Sequence, residues 1–471
     1  MVGTEFAGQQ ISVIGAARSG VAAARVLMAL GARVTLSDAQ PAERCSAERR
    51  EAALATGAQV VFGATIDTAL PPGTERVITS PGVPRTAPVL QAAVARGIPV
   101  WSEIELAFRL ARVPIVAVTG TNGKTTTVLL IGAMLRASEI PAVVAGNISA
   151  DAIKKTLVEA AFEVQEGVIV AEVSSFQLEW VERFAPAVAV LTNITPDHLD
   201  RHASFAEYAA TKARIFAAQT SRDRAIVNRD DPAARVIGEG ALPGRKIWFT
   251  RKAPPGDGPC AWVEHGLLYV RLEEHTEGLP VLATNALSPA LPGDHSVENV
   301  LAAVAASMAI GGKPEAIARA VRDFPGVPHR MEYVAEIRGV RFINNSMCTN
   351  VEAAVRSLQA MDRPAVVIAG GADKGLDFGP LGATLKAKAR HLILIGAAAD
   401  RIEATLRAQG YLAIERAGDL EQAVQKAFEI ASPGEAVLLS PACASFDMFS
   451  DFEARGAAFR QIVRTLQEAQ G

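Results

Sequence analysis

The run "IVAVTGTNGKTTT", residues 115–127, leaves a chain few ways to fold. Its first half is β-branched and uncharged, the composition of a strand buried on both faces, and such a strand needs parallel neighbours with helices packed on either side. Its second half places glycine, lysine and hydroxyls where the strand gives way to a helix. Backbone amides at such a turn cradle phosphates, Lys124 can neutralise them, and the Thr125 hydroxyl can ligate Mg. The strict phosphate-loop spacing, GxxxxGK[ST], requires glycine at the position held by Val118. The loop is therefore a near relative of that motif with its glycine at Gly120, and a nucleoside triphosphate is its expected ligand.

The same alternation of short apolar strands and helices runs through the chain. Residues 11–38 read as strand, tight turn, helix and strand, with Asp38 ending the second strand: a Rossmann-like opening. Ala17 stands where a dinucleotide fingerprint has its middle glycine, which weakens an NAD reading, while Gly15 and Gly20 still suit a phosphate turn. "RVITSPGVP" adds a strand that ends in a Pro/Gly loop. After a linker, "ARVP", the strands "GVIVAEV", "AVAVLTNI" and "RAIVN" continue a parallel sheet. Residues 251–293 are rich in Pro and Gly and read as a hairpin-like appendage with little chemistry. Past "DFPGVP" (323–328), "PAVVIAGG", "HLILIG" and "EAVLLSP" form a third α/β unit. The expected fold is α/β with three domains. These are a Rossmann-like domain over 1–112, a central P-loop-type ATPase domain with a mostly parallel sheet over 113–326, and a C-terminal Rossmann-like domain over 327–471.

A length of 471 residues agrees with three domains at ~150 residues each. The net charge of -3 gives no electrostatic reason to expect nucleic acid or an anionic membrane. No apolar run approaches the ~20 residues that span a bilayer. Glu5 and the lack of a basic region before an apolar core argue against a signal peptide. Cys45, Cys260, Cys348 and Cys443 lack CxxC spacing, so a reduced cytoplasm is expected, without a disulfide framework or zinc site.

One helix contains an anomaly. In "SFAEYAATKARIFAAQ" (204–219), Phe205, Tyr208, Ala209, Ile215 and Phe216 recur at the spacing of a buried face, with Glu207, Thr211 and Arg214 opposite. Lys212 falls in the apolar stripe. Either its stem packs while its head reaches water, or the amine is buried. Ligands of parallel sheets collect beyond the carboxyl ends of the strands. There the chain supplies the phosphate loop, then Glu172 in "AEVSSFQLEW" and His198 in "TNITPDHLDRH". A hydroxyl, a carboxylate and an imidazole beside a triphosphate suit Mg. A desolvated Lys212 would be neutral enough to take up carbon dioxide as a carbamate, turning a misplaced cation into a carboxylate-like metal ligand.

These motifs resemble the Mur ligase family over essentially the whole chain. They include "GTNGKTTT", "GNIS", "EVSSFQLE", "NITPDHLDRH", the Lys212 helix, "VNRDDP", "GDHSVENVLAA", "GVPHRME", "GGADKGLDF" and "SPACASFDMFSDFEARG". The last of these, with the Ser-Phe-Gln-Leu-Glu run, is most specific to the glutamate-adding branch. The resemblance implies an ATP-dependent ligase in cytoplasmic peptidoglycan precursor synthesis. It would join glutamate, as the D enantiomer, to UDP-N-acetylmuramoyl-L-alanine, and it would act as a monomer without nucleic acid or membrane partners. Two Mg ions are implied, with Thr125, Glu172, His198 and Lys212 (as a carbamate made with carbon dioxide) as ligands. Gly15, Ala16, Ala17, Arg18, Asp38, Ser80, Pro81 and Gly82 would contact the UDP moiety. Asn147 and His198 would face the muramoyl-alanine side. Gly120, Thr121, Asn122, Gly123, Lys124, Thr125, Thr126, Asn299, Arg330 and Asn345 would bind ATP, with Asn299 at the adenine. Lys374, Ser445 and Phe452 would hold glutamate.

There are departures from the pattern. The loop commonly reading DSKATN is "NSMCTN" here, so Asn345 replaces an acid and Met347 a lysine, and Ser296 replaces a common asparagine. A related ligase adding L-glutamate or another amino acid is the alternative within the family; a folate-type ligase is disfavoured by the UDP-like first domain, and a nicotinamide dehydrogenase by Ala17 and the phosphate loop. A nucleotide-dependent binding protein without catalysis is the non-enzymatic alternative.

Overall fold

The computed structural model describes residues 4–148, 155–199, 201–274, 276–291, 293–373 and 375–470. They form two compact units. The first holds the described residues up to Leu287 together with Asp294–Phe324, and the second holds 288–291, 293 and the chain from Pro325 onward. The division at Phe324 falls inside the Pro/Gly stretch at 323–328. The chain around "ARVP" lies wholly within the first unit.

That unit contains two sheets. The N-terminal sheet has five parallel strands in the order Gln59–Phe62, Arg33–Asp38, Gln10–Ile14, Arg76–Thr79, Val100–Ser102. Gly20 is in the first turn of helix Arg18–Ala29, where a Cβ would stand 1.8 Å from the Gly15 carbonyl oxygen. Ala17 precedes that helix in extended backbone at φ -92°, so no glycine is needed where the dinucleotide fingerprint would place one.

The central sheet has nine strands. Seven run parallel from Ala142–Gly146 through Val168–Glu172, Ile115–Thr119, Val188–Leu191, Arg224–Asn228 and Arg245–Thr250 to Cys260–Glu264. Leu267–Arg271 and Leu279–Ala283 then add antiparallel strands at that edge. Residues 251–293 are thus more than an appendage: three of their strands continue the ATPase sheet. Trp262 and Tyr269 stack across two of them, with ring centroids 5.3 Å apart.

The second unit has six strands in the order Glu332–Ile337, Val340–Asn344, Ala436–Leu439, Ala365–Gly370, Ala389–Ile395, Ile414–Arg416. The first is antiparallel to its neighbour and the others are parallel. Apolar clusters cover both faces, one under helices Val351–Gln359, Leu381–Lys388 and Ala399–Ala408, the other under Leu420–Ile430 and Phe452–Gln470.

Charged residues, as well as apolar ones, join the two domains of the first unit. Helix Glu103–Leu110 follows the last N-terminal strand, and Glu105 on it is fully buried. Its carboxylate accepts from the backbone N–H groups of Glu182, Arg183 and Phe184 at 2.9–3.1 Å and from Arg109 Nε at 2.8 Å. Arg201 makes a fork with the Glu179 carboxylate at 2.9 and 2.8 Å, and donates to the Val83 carbonyl at 2.8 Å. The loop beginning at Ser80 is thereby fastened to the central domain. Removing the Glu105 carboxylate would orphan three amides, that of Phe184 buried, and a guanidinium. Glu105→Ala should cost about 3 kcal/mol or more, read as a lower urea midpoint. Glu105→Gln, which keeps one acceptor oxygen, should recover part of the loss.

Candidate active site

The phosphate loop lies between strand Ile115–Thr119, buried throughout, and helix Lys124–Ala137. Glycine is required twice, on both backbone and steric grounds. Gly120 has φ +148°, and a Cβ there would meet Thr192 Oγ1 at 2.0 Å; Gly123 has φ +82°, and its Cβ would meet Asn299 Oδ1 at 2.2 Å. Asn299, on helix Asp294–Ala309, is therefore pressed against the loop's second glycine. Asn193 clamps Asn122 by accepting from its N–H at 2.9 Å and donating to its carbonyl at 3.1 Å. Lys124 folds back over the loop, its Nζ donating to the Gly120 and Thr121 carbonyls at 3.1 and 3.0 Å. Thr126 is buried one residue beyond Thr125.

Glu172 ends the neighbouring strand Val168–Glu172 and is 4% exposed. The Thr125 hydroxyl donates to its Oε2 at 2.7 Å. On the next strand Gly146 has φ +99°, and a Cβ there would stand 2.4 Å from the Glu172 carbonyl oxygen. That close approach lets the Asn147 N–H reach the same carbonyl at 2.9 Å, while its residue stays exposed.

Lys212 does not reach water. It is 2% exposed on helix Phe205–Ala213, which Ser204 caps, and its Nζ donates to the Gly120 carbonyl at 2.8 Å and lies 4.7 Å from the Tyr208 ring centroid. Burial, reinforced by the Lys124 charge, pushes its pKa well below the ordinary lysine value, against the opposing pull of Asp197 and Glu172. The helix departs from the expected pattern at two places. Phe205 is 37% exposed and Thr211 is buried. Phe205 opens the helix, and periodicity fixes an angle about the axis without fixing whether a neighbour reaches that end. Thr211 donates to the Glu207 carbonyl at 2.8 Å, and a hydroxyl satisfied in this way needs no water.

His198 is less enclosed than these groups. It adopts φ +52°, its side chain is 47% exposed, and its ring packs edge-on to Phe176 at 4.9 Å. Among the described residues no three His, Cys, Asp or Glu side chains already form a metal cluster.

At the N-terminal sheet edge, Asp38 Oδ2 accepts from the Ala16 N–H at 2.8 Å and pairs with Arg49. Arg49 also donates to the Ala16 carbonyl at 2.9 Å, a contact the motif reading missed. The Ser80 hydroxyl donates to the Gly15 carbonyl at 2.8 Å, with Pro81 and Gly82 following in the loop. Arg18 reaches the Gly146 carbonyl at 3.4 Å, bringing this edge to the central strand ends.

The second unit carries its own cluster. Arg330 is exposed between His329 and Met331, both at positive φ (+60° and +46°). Such backbone costs on the order of 1–3 kcal/mol per residue. Ser445 is buried after strand Ala436–Leu439, and Phe452 opens helix Phe452–Gln470 with its carbonyl accepting from the Ser346 hydroxyl at 2.8 Å. Arg455, unassigned by the motifs, is 1% exposed and ties the loops together, donating to Ser346 Oγ at 3.0 Å and to the Ser346 and Cys443 carbonyls at 2.9 and 3.1 Å. Lys374 lies outside the described residues.

Comparison with known proteins agrees with this arrangement. Residues 9–102 match the Mur ligase MurD-like N-terminal domain, 118–307 the Mur ligase middle domain and 329–443 the Mur ligase glutamate ligase domain. The chain belongs to the Mur ligase family, and is accordingly an ATP-dependent, amide-forming ligase. Its similar relatives share one particular name, UDP-N-acetylmuramoylalanine--D-glutamate ligase. That from Pelotomaculum thermopropionicum is 44% identical, covering 98% of this chain and 99% of its own length. Those from Alkaliphilus metalliredigens and Desulfitobacterium hafniense are 38% and 41% identical, covering 99% and 97% of this chain and 100% and 97% of their own. In fold the chain resembles the UDP-N-acetylmuramate-alanine ligase of Thermotoga maritima, with a TM-score of 0.58 and 19% identity over 98% of this chain and 99% of that one.

The burial of Lys212 has a consequence with a definite sign. Its folded pKa is lowered, so between that value and the ordinary lysine range the unfolded chain binds more protons, and stability rises with pH. In bicarbonate-free buffer, raising pH from about 7 toward about 10 should shift the stability difference between parent and Lys212→Met in the parent's favour. A pH-independent difference would mean that the amine is solvated.

Proposed function

We propose that this chain joins D-glutamate to UDP-N-acetylmuramoyl-L-alanine at the expense of ATP, in cytoplasmic peptidoglycan precursor synthesis. The observation that carries the reading is the meeting of the phosphate loop, Glu172 and a buried Lys212 at the ends of adjoining central strands, in a chain 44% identical to a ligase of that name. A carboxylate is a poor acyl donor until one oxygen becomes a leaving group. The L-alanyl carboxylate attacks the γ-phosphorus of ATP and displaces ADP, giving an acyl phosphate. The glutamate amine adds to its carbonyl carbon, and the tetrahedral intermediate loses a proton and expels inorganic phosphate to leave the amide.

The first step brings anions together, so charge neutralisation dominates its barrier. Lys124 and the helix-opening amides of 123–126 hold the phosphates, and Asn299 borders the nucleotide. The Gly15–Arg18 turn, Asp38 and the Ser80–Gly82 loop hold the UDP end, with Asn147 and His198 toward the muramoyl-alanine. In the second unit, Arg330 is assigned to the nucleotide and Lys374, Ser445 and Phe452 to glutamate.

Mg would be held by the Thr125 hydroxyl, the Glu172 carboxylate, His198 and Lys212 as a carbamate. The hydroxyl and carboxylate oxygens of this set suit a hard cation. When bound, Mg supplies positive charge to the transferring phosphoryl group. A desolvated, neutral amine is the nucleophile that carbamate formation needs, and the low pKa of Lys212 supports that assignment.

The direct test is ATP-dependent product formation from UDP-N-acetylmuramoyl-L-alanine with D- or L-glutamate. D-glutamate should be the preferred acceptor; equal turnover with L-glutamate would overturn the enantiomer assignment and leave ligation standing. Lys212→Ala should lose on the order of a hundred- to a thousand-fold in rate and recover part of it with added acetate or formate. Lys212→Arg should stay inactive. Tolerance of arginine, with no response to acetate, would rule out the carbamate.

A further inference from the structure

Asn345 stands where the family pattern has an acid, and its side chain is already engaged within the second unit. It is 4% exposed, just after strand Val340–Asn344. Its Oδ1 accepts from the Met331 N–H at 3.2 Å. Its Nδ2 donates to Ser357 Oγ at 2.7 Å and toward Ser440 Oγ at 3.4 Å. The proton inventory gives that amide nitrogen a defined role as donor. Ser357 Oγ donates its own proton to the Ala353 carbonyl at 2.7 Å, and Ser440 Oγ donates to Cys348 Sγ at 3.4 Å. In this arrangement both hydroxyl oxygens act as acceptors toward the amide, whereas a carboxylate at 345 would have to draw their protons away from Ala353 and Cys348.

What Asn345 grips is the three-residue strap that presents Arg330. The strap is strained at both neighbours, and other bonds restrain it at His329. The His329 N–H donates to Glu332 Oε2 at 2.8 Å, its carbonyl accepts from the Met347 N–H at 3.0 Å, and its buried ring lies 3.0 Å from Asn344 Nδ2. Gly456 leaves room for that ring, since a Cβ there would stand 2.0 Å from Nδ1. On the other side of Arg330, the carboxamide of Asn345 holds the Met331 amide.

We infer that Asn345 is a positioning residue for Arg330, acting by pinning the Met331 amide to helix Val351–Gln359, and is not itself a nucleotide ligand. The inference rests on the assignment of Arg330 to the nucleotide proposed above. In this chain the loss of the family's acid exchanges a charge for a hydrogen-bond donor that leaves the Ser357 hydroxyl on the Ala353 carbonyl.

The test is a double-mutant cycle read by ATP binding to the full chain in isothermal titration calorimetry, which needs no acceptor substrate. Arg330→Ala should weaken ATP binding. Asn345→Asp should also weaken it, by about tenfold, because a buried donor is lost. Combined, the two should bind no more weakly than Arg330→Ala alone, since a positioning residue has nothing left to position. Ser357→Ala, on the far side of the bond, should weaken binding in the same non-additive way, and it serves if Asn345→Asp fails to fold. Tighter or unchanged ATP binding in Asn345→Asp, or additive losses in the cycle, overturns the inference while Arg330 keeps its assignment. An Arg330→Ala protein that binds ATP as tightly as the parent overturns both. Failure of the parent to incorporate glutamate removes the proposed reaction and leaves the cycle readable.

Discussion

Close approach of glycine backbone to neighbouring oxygens, around the carboxyl ends of the central strands, governs how the catalytic groups are held. Gly120 sits against Thr192, Gly123 against Asn299 and Gly146 against the Glu172 carbonyl, each where a Cβ would fall within 2.0–2.4 Å of an oxygen. Without side chains at these points the strand ends and the helix start draw together. The Gly120 carbonyl comes within reach of both Lys124 and Lys212, and the Thr125 hydroxyl reaches Glu172. A wider spacing would admit water, and a hydrated lysine amine would keep its proton. Steric economy in the backbone thus sets the electrostatics of the side chains.

The parts of this architecture that were legible in the sequence are those that repeat or crowd. β-Branched runs reported the parallel strands, and the glycine-lysine-hydroxyl turn reported the phosphate loop. The position of Lys212 in an apolar stripe marked the anomaly and left open whether its head reached water, which the structure decides in favour of burial. The same periodicity misplaced Phe205 and Thr211, because a helical wheel records direction around an axis and nothing about where a neighbour ends or a hydroxyl finds a carbonyl. Residues 251–293 looked like an appendage because Pro and Gly dominate their loops, whereas the parallel pairing of strand Cys260–Glu264 with Arg245–Thr250 is a register that local composition does not record.

Charged residues that bind backbone were the least legible. Glu105, Arg201 and Arg455 look like surface residues in any pattern of polar and apolar positions. Each is instead buried or half-buried and serves groups in a different segment: three amides, a carboxylate with a carbonyl, and two loops. Nothing local in a sequence marks such a role, since its cause is the unmet valence of backbone elsewhere. The departure at Asn345 has the same character. A motif comparison notes the missing acid, and only the proton inventory around Ser357 shows what the amide supplies.

The strained strap around Arg330 carries a consequence for how this chain can change. Positive φ at His329 and Met331 is a standing tax on the folded state, and glycine at either place would lift it. A glycine at Met331 would also forfeit the packing of that side chain against the apolar cluster under helix Val351–Gln359, and it would widen the unfolded ensemble. That substitution would exchange a fixed arginine for a swinging one. Strain and packing thus pull in opposite directions at this residue, and the side chain that keeps the strain also keeps the arginine beside it in place.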